Sequence, residues 1–145
     1  MCIRDSNKLL LVEQVQMNAS DSTLDLSAQT EGFTISGGAG IDTIKGGAGN
    51  DIITGSGSND IFHIISGTDA VTDLTTGDSF IVSASATLNA ANISGFVATD
   101  GTSNAGTANL SADNSDVTID MRLATSGGYK ITGGTGVDTF YGGAG

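Results

Sequence analysis

From Gly37 onward the chain repeats a nine-residue phrase, and no other feature restricts its fold so tightly. Three successive nonapeptides read GGAGIDTIK (Gly37 to Lys45), GGAGNDIIT (Gly46 to Thr54) and GSGSNDIFH (Gly55 to His63). The phase continues through IISGTDAVT (Ile64 to Thr72) and DLTTGDSFI (Asp73 to Ile81), where most glycines are gone. Position six is aspartate throughout, at Asp42, Asp51, Asp60, Asp69 and Asp78. Position eight is apolar throughout, at Ile44, Ile53, Phe62, Val71 and Phe80. A flexible Gly/Ser linker keeps no apolar residue on a fixed period, so the run reads as a stacked repeat architecture.

Each place in the phrase has a physical role. Glycines at positions one, two and four (Gly37, Gly40, Gly46, Gly49 and Gly55 among them) are expected to take positive φ and turn the chain sharply, aiming carbonyl oxygens at a common point. Positions seven to nine then form a short strand of roughly 10 Å. Side chains alternate along a strand, so the eighth residue faces the core and its neighbours face outward. Ile52, Ile61 and Ile81, at positions seven or nine, are expected outside. Two nonapeptides close one coil. Asp42, Asp60 and Asp78 are therefore expected on one edge, with Asp51 and Asp69 on the other.

Stacked about 4.8 Å apart, two bare carboxylates repel by roughly 1 kcal/mol even in water, and by more where water is excluded. A cation between them reverses the sign. Calcium suits the pattern, because it accepts six to eight oxygens, carboxylate and carbonyl mixed, in flexible geometry. Zinc wants His or Cys, and the chain has one of each, His63 and Cys2. The turn chemistry is complete between Asp42 and Asp60, partial between Asp51 and Asp69, and reduced to fragments between Asp60 and Asp78. The acids themselves suit tight turns and hard-cation ligation, since fourteen of the sixteen are aspartate, the shorter carboxylate.

These nonapeptides resemble the RTX, or hemolysin-type, calcium-binding repeat. The first two units match its GGxGxDxUx pattern fully, and the third carries serine at position two. The resemblance implies an all-β fold, a parallel β-roll with calcium held between turns. It also implies export by a type I system and folding outside the cell.

A longer period lies over the short one. Phe33 to Gly49 aligns with Tyr129 to Gly145 at ten identical positions of seventeen, and Thr23-Leu24-Asp25-Leu26 parallels Thr118-Ile119-Asp120-Met121. The offset of 95 to 96 residues divides the chain into a leading strand segment (1–32), a nonapeptide block (33–81), a spacer of short strands that extends or caps the roll (82–128), and the start of a second block (129–145). Asp138 is the calcium-type aspartate of that second block, its stacking partner expected beyond Gly145, so the chain reads as a fragment. The 60 residues between Asp78 and Asp138 are not a multiple of nine, which rules out one uniformly wound roll. Large units of this kind look like those of bacterial RTX adhesins and S-layer-like surface proteins.

Composition narrows the function further. A net charge of −11 with five basic residues disfavours nucleic acid. No apolar run reaches transmembrane length, so membrane insertion is not expected. The stretch Leu9 to Val12 is too short for a signal-peptide core, and Met1 to Ser6 matches nothing later in the chain. With one cysteine no internal disulfide forms, leaving metal as the stabiliser of an extracellular fold. Catalysis is not expected: His63 falls at an outward position nine, and no nucleophile motif accompanies it. The expected role is a calcium-binding spacer of a secreted or surface-attached adhesin, with calcium ions and neighbouring repeat units as partners and an undefined adhesion target. A calcium-binding C-terminal region of a type I-secreted hydrolase or toxin, or an S-layer subunit, stands as the alternative.

Overall fold

Glycine-rich turns spaced by three or four β-formers force the chain to reverse before any strand grows long, and the result is a coil of short parallel strands. The computed structural model describes residues 14–143. Cys2, Met1 to Ser6 and Leu9 to Val12 lie outside the described residues. All fifteen described strands pair in parallel, and the described residues contain no helix.

One seven-stranded sheet runs the length of the roll: β1 (Gln14–Gln16), β3 (Thr34–Gly38), β5 (Ile52–Ser56), β7 (Gly67–Val71), β9 (Ala86–Ile93), β12 (Thr107–Ala112) and β14 (Lys130–Thr132). A five-stranded sheet faces it: β2 (Ser22–Asp25), β4 (Asp42–Lys45), β6 (Ile61–Ile64), β8 (Ser79–Val82) and β11 (Ser103–Asn104). A third sheet enters in the second half, from β10 (Phe96–Val97), β13 (Thr118–Asp120) and β15 (Thr139–Tyr141).

The register gives the winding. Along the long sheet Gln14 pairs with Thr34, Thr34 with Ile52, Ile52 with Ala70, Ala70 with Asn89, Asn89 with Asn109, and Asn109 with Lys130. The coil is 18 residues within the nonapeptide block, and lengthens to 19, 20 and 21 beyond it. The roll is not uniformly wound, as the spacing required, yet its ladder is unbroken from β1 to β14. Longer coils have room for a third side, and β10 and β13 occupy it. Phe80 stacks on Phe96 at 5.8 Å where the two-sided coil becomes three-sided, an aromatic contact of about 1 kcal/mol beyond area burial.

The position-eight side chains form the core. Ile44, Ile53, Phe62, Val71 and Phe80 are all essentially inaccessible, and Leu24, Ile44, Phe62 and Phe80 follow one another in register up the short sheet. Ile52 faces solvent at 48% exposure, whereas Ile61 and Ile81 are half-covered by their neighbours.

The glycines work differently from the sequence expectation. Among the expected positions one, two and four of the first three units, Gly38 alone is a glycine with positive φ, at 131°. Gly37, Gly40, Gly46, Gly49 and Gly55 are needed because something else fills the place of a Cβ. At position one it is the carboxylate of the same unit's aspartate: Asp42 against Gly37, Asp51 against Gly46, Asp60 against Gly55. At position four it is the backbone of the preceding coil, Ser20 and Asp21 under Gly40 and Glu31 under Gly49.

The third unit carries strain as a consequence of its serines. Ser56 and Ser58 hold positions two and four at φ 85° and 80°, a region costing a side chain about 1–2 kcal/mol. Ser56→Gly is expected to stabilise the calcium-loaded protein by about 1 kcal/mol, read as a raised thermal midpoint. Ser58→Gly is expected to gain less, because it forfeits the hydroxyl that donates to the Ala39 carbonyl at 3.1 Å. A fall in midpoint for Ser56→Gly would show that the strain account is mistaken.

Candidate calcium site

Five aspartates that sequence spacing put on two edges are found there, and all five are buried: Asp42, Asp51, Asp60, Asp69 and Asp78 are between 0% and 3% exposed. Their direction is common to all. Each position-six carboxylate reaches back toward the coil before its own. Asp60 Oδ1 accepts the Asp42 amide at 2.8 Å, Asp78 Oδ1 the Asp60 amide at 2.8 Å, and Asp69 Oδ1 the Asp51 amide at 2.9 Å. Asp51 Oδ1 accepts the Phe33 amide at 2.8 Å. Asp138, half-buried, accepts the Val117 amide at 3.2 Å, so its nearest turn is the one before it in the chain.

Position five supplies a counter-current that sequence reading missed. Asn50 Oδ1 accepts the Thr68 amide of the following coil at 2.9 Å. Asp21 accepts the Ile41 amide at 2.9 Å and Asp116 the Val137 amide at 2.8 Å. Asn50, Asp21 and Asp116 therefore stitch forward while the position-six carboxylates stitch back. The signal was present in the Asn-Asp pair at 50–51, and in Asp21 and Asp116 recurring at the longer period.

Burial of so many acids has an electrostatic cost. Desolvation pushes Asp60 up to about 6, with the like charges of Asp78, Asp42 and Asp73 adding to it and the Asp42 amide opposing. Desolvation likewise pushes Asp69 up to about 7, Asp51 adding its charge. Asp42 and Asp78 are raised mainly by burial. In this arrangement the carboxylates favour a bound proton or a bound cation over open charge.

Hydrogen-bond accounting shows where a cation is wanted. Asp42 has no hydrogen-bond partner for either carboxylate oxygen, and Asp69 has none for Oδ2. The Ser22 amide is near enough to ease the charge on Asp42 but meets neither oxygen in hydrogen-bond geometry. Asp78, by contrast, is served by the Asp60 amide and by the Thr75 amide and hydroxyl. The need for an extra ligand is thus greatest at Asp42, which reaches back toward the Ser22 turn, smaller at Asp69 between the Asp51 and Asp69 coils, and least at Asp78.

The donor set fits calcium. Among the described residues no three His, Cys, Asp or Glu side chains converge as a metal cluster, so a cation here must take carbonyl oxygens beside its paired carboxylates. Glycine at positions one and four keeps the turns free of side chains that would block those carbonyls. His63 stands away from the aspartate rows, in register with Lys45 and Ile81 on the short sheet. No helix among the described residues is long and apolar enough to cross a membrane.

The chain is a parallel β-roll whose glycine-walled turns offer paired carboxylates and backbone carbonyls to a hard cation. Comparison with family models finds the RTX calcium-binding nonapeptide repeat in four copies, over residues 34–63 and 130–145. These segments are RTX-type nonapeptide repeats, and they mark a calcium-binding repeat module within the chain. No curated protein and no solved structure matches it. In the first block the matched copies stop at His63, whereas the coil and its aspartate row continue through Asp78.

Proposed function

We propose that this module is a non-enzymatic spacer of a secreted, surface-displayed adhesin, exported unfolded and wound into a rod by calcium outside the cell. The observation that carries the reading is the continuity of the long sheet across the 95-residue period. The coil containing β3 and β4 and the coil containing β14 and β15 are built from matching sequence, and five coil steps separate them on one ladder. A unit that ends in the same coil with which it begins can be repeated without limit, which is what a spacer requires and a single catalytic domain does not.

At about 4.8 Å per coil each unit adds roughly 24 Å of length. Small-angle scattering of tandem arrays with one, two and three 95-residue units in 10 mM calcium should give rods whose length grows linearly by that increment. A radius of gyration that rises only as a compact particle's would overturn the spacer reading. It would leave the calcium-binding repeat itself intact.

A further inference from the structure

The row of position-six carboxylates begins one coil too early for the nonapeptide pairs alone to explain it. Because every such carboxylate reaches back, Asp60 lies in the gap between its own coil and that of Asp42, and Asp78 in the gap after Asp60. Asp42, by the same rule, lies in the gap between the first nonapeptide turn and the turn before it, Asn18 to Ser22, where Ser22 is its register partner. That turn contains no glycine and no position-six aspartate. Asp42 is nonetheless 0% exposed there with both oxygens unpartnered. A buried carboxylate left without a donor is unfavourable unless a cation or a proton joins it.

The other edge provides the contrast. Asp51 also opens its row, backing onto the turn that ends at Phe33, but both its oxygens are occupied, by the amides of Phe33 and Gly47. Only at Asp42 is the head of the row left open.

The surrounding atoms are oxygen donors. The carbonyl of Asn18 lies directly under Gly38 and that of Ser20 under Gly40, facing the turn that carries Asp42. Asp21 sets a second carboxylate beside the gap, close enough for its charge to be felt at Asp42. The longer period repeats the arrangement: Asp113 lies under Gly134, Ser115 under Gly136, and Asp116 caps the Val137 amide beside Asp138.

We propose that the turn Asn18 to Ser22 and Asp42 form an additional calcium site at the head of the block, one coil before the first nonapeptide pair, with Asp21 as its second acid. The metal ladder therefore starts before the glycine signature. The proposal rests on the calcium reading above, and the test separates the two.

Bound calcium is counted by native mass spectrometry on the whole chain titrated with calcium chloride at pH 7.5, with circular dichroism recorded in parallel. Asp21→Asn keeps the hydrogen bond to the Ile41 amide, since Asn50 makes the same bond through its amide oxygen. This variant should retain its β-spectrum at saturating calcium and bind one ion fewer, or bind that ion at least tenfold more weakly. Asp42→Asn should lose the same head-site ion, because its carboxylate lies in that gap. An Asp21→Asn protein with the wild-type ion count and affinities would overturn the head site while leaving the nonapeptide sites standing. A wild-type chain that binds no calcium would overturn both readings together.

Discussion

Stripped of calcium at pH 7.5, the protein is expected to lose most of its β-structure, and to regain it with a midpoint at roughly 0.1–1 mM calcium, the range of weak extracellular sites. The cause is the set of five aspartates buried between coils. In the roll Asp60 and Asp69 titrate near 6 and 7 against 3.8 for a free side chain. A carboxyl raised in the folded state binds more protons folded than unfolded between those values. Its stabilising contribution is complete below about pH 4 and is lost as pH climbs through 6 and 7. Metal-free protein should accordingly be most β-rich near pH 4–5 and unwind toward neutrality. Calcium takes the place of the protons, so its apparent affinity should rise over the same interval. Far-ultraviolet circular dichroism of metal-stripped protein from pH 4 to 8, with and without 5 mM calcium, reads all of this. A spectrum at pH 7.5 that is β-rich and indifferent to chelator would refute the account.

Asp60→Ala is expected to do the most damage of any single aspartate change. Its carboxylate belongs to two stacked pairs, and it alone accepts the buried amide of Asp42. Leaving that amide unpaired costs about 1–3 kcal/mol before any metal is considered. The calcium midpoint should move upward at least tenfold, about 1.4 kcal/mol in binding terms. Asp60→Asn separates the contributions, since it preserves an acceptor for the amide while removing the charge. It should restore part of the calcium-independent stability and little of the calcium affinity. Asp138→Ala, at a half-buried aspartate with one long hydrogen bond, should shift the midpoint by less than a factor of two. If Asp60→Ala and Asp138→Ala have equal effects, burial is not what ranks these sites.

The parts of this structure that follow a fixed period were open to sequence reading. Ile44, Ile53, Phe62, Val71 and Phe80 occupy the core because a strand's alternation leaves position eight no other face. The assignment of Asp42, Asp60 and Asp78 to one edge needed only the count of two nonapeptides to a coil. What escaped depends on direction rather than period. No spacing tells whether Asp60 reaches back to Asp42 or forward to Asp78, and so none showed that Asp42 faces the glycine-free turn. The part played by glycine escaped for a related reason, since a missing Cβ serves equally for a left-handed turn and for a neighbour that needs the space. The spacer hid its continuity because coils of 19, 20 and 21 residues share no common period, although they share one ladder.

That ladder also passes from one kind of chemistry to another along a single row. Asp69 is in register with Leu88, and Leu88 with Ala108, so the line of inward positions that is acidic in the block becomes hydrocarbon in the spacer. The row needs an ion on one side of Ala86 and none on the other. Whatever β-signal survives calcium withdrawal should therefore come from the spacer coils, where Leu88, Ile93, Phe96, Leu110 and Ile119 bury no unpaired charge. A long array of such units would not dissolve uniformly. It would keep wound islands at regular intervals, each a ready-made edge on which the neighbouring block can rewind when the ion returns, making recovery a matter of local growth instead of fresh nucleation.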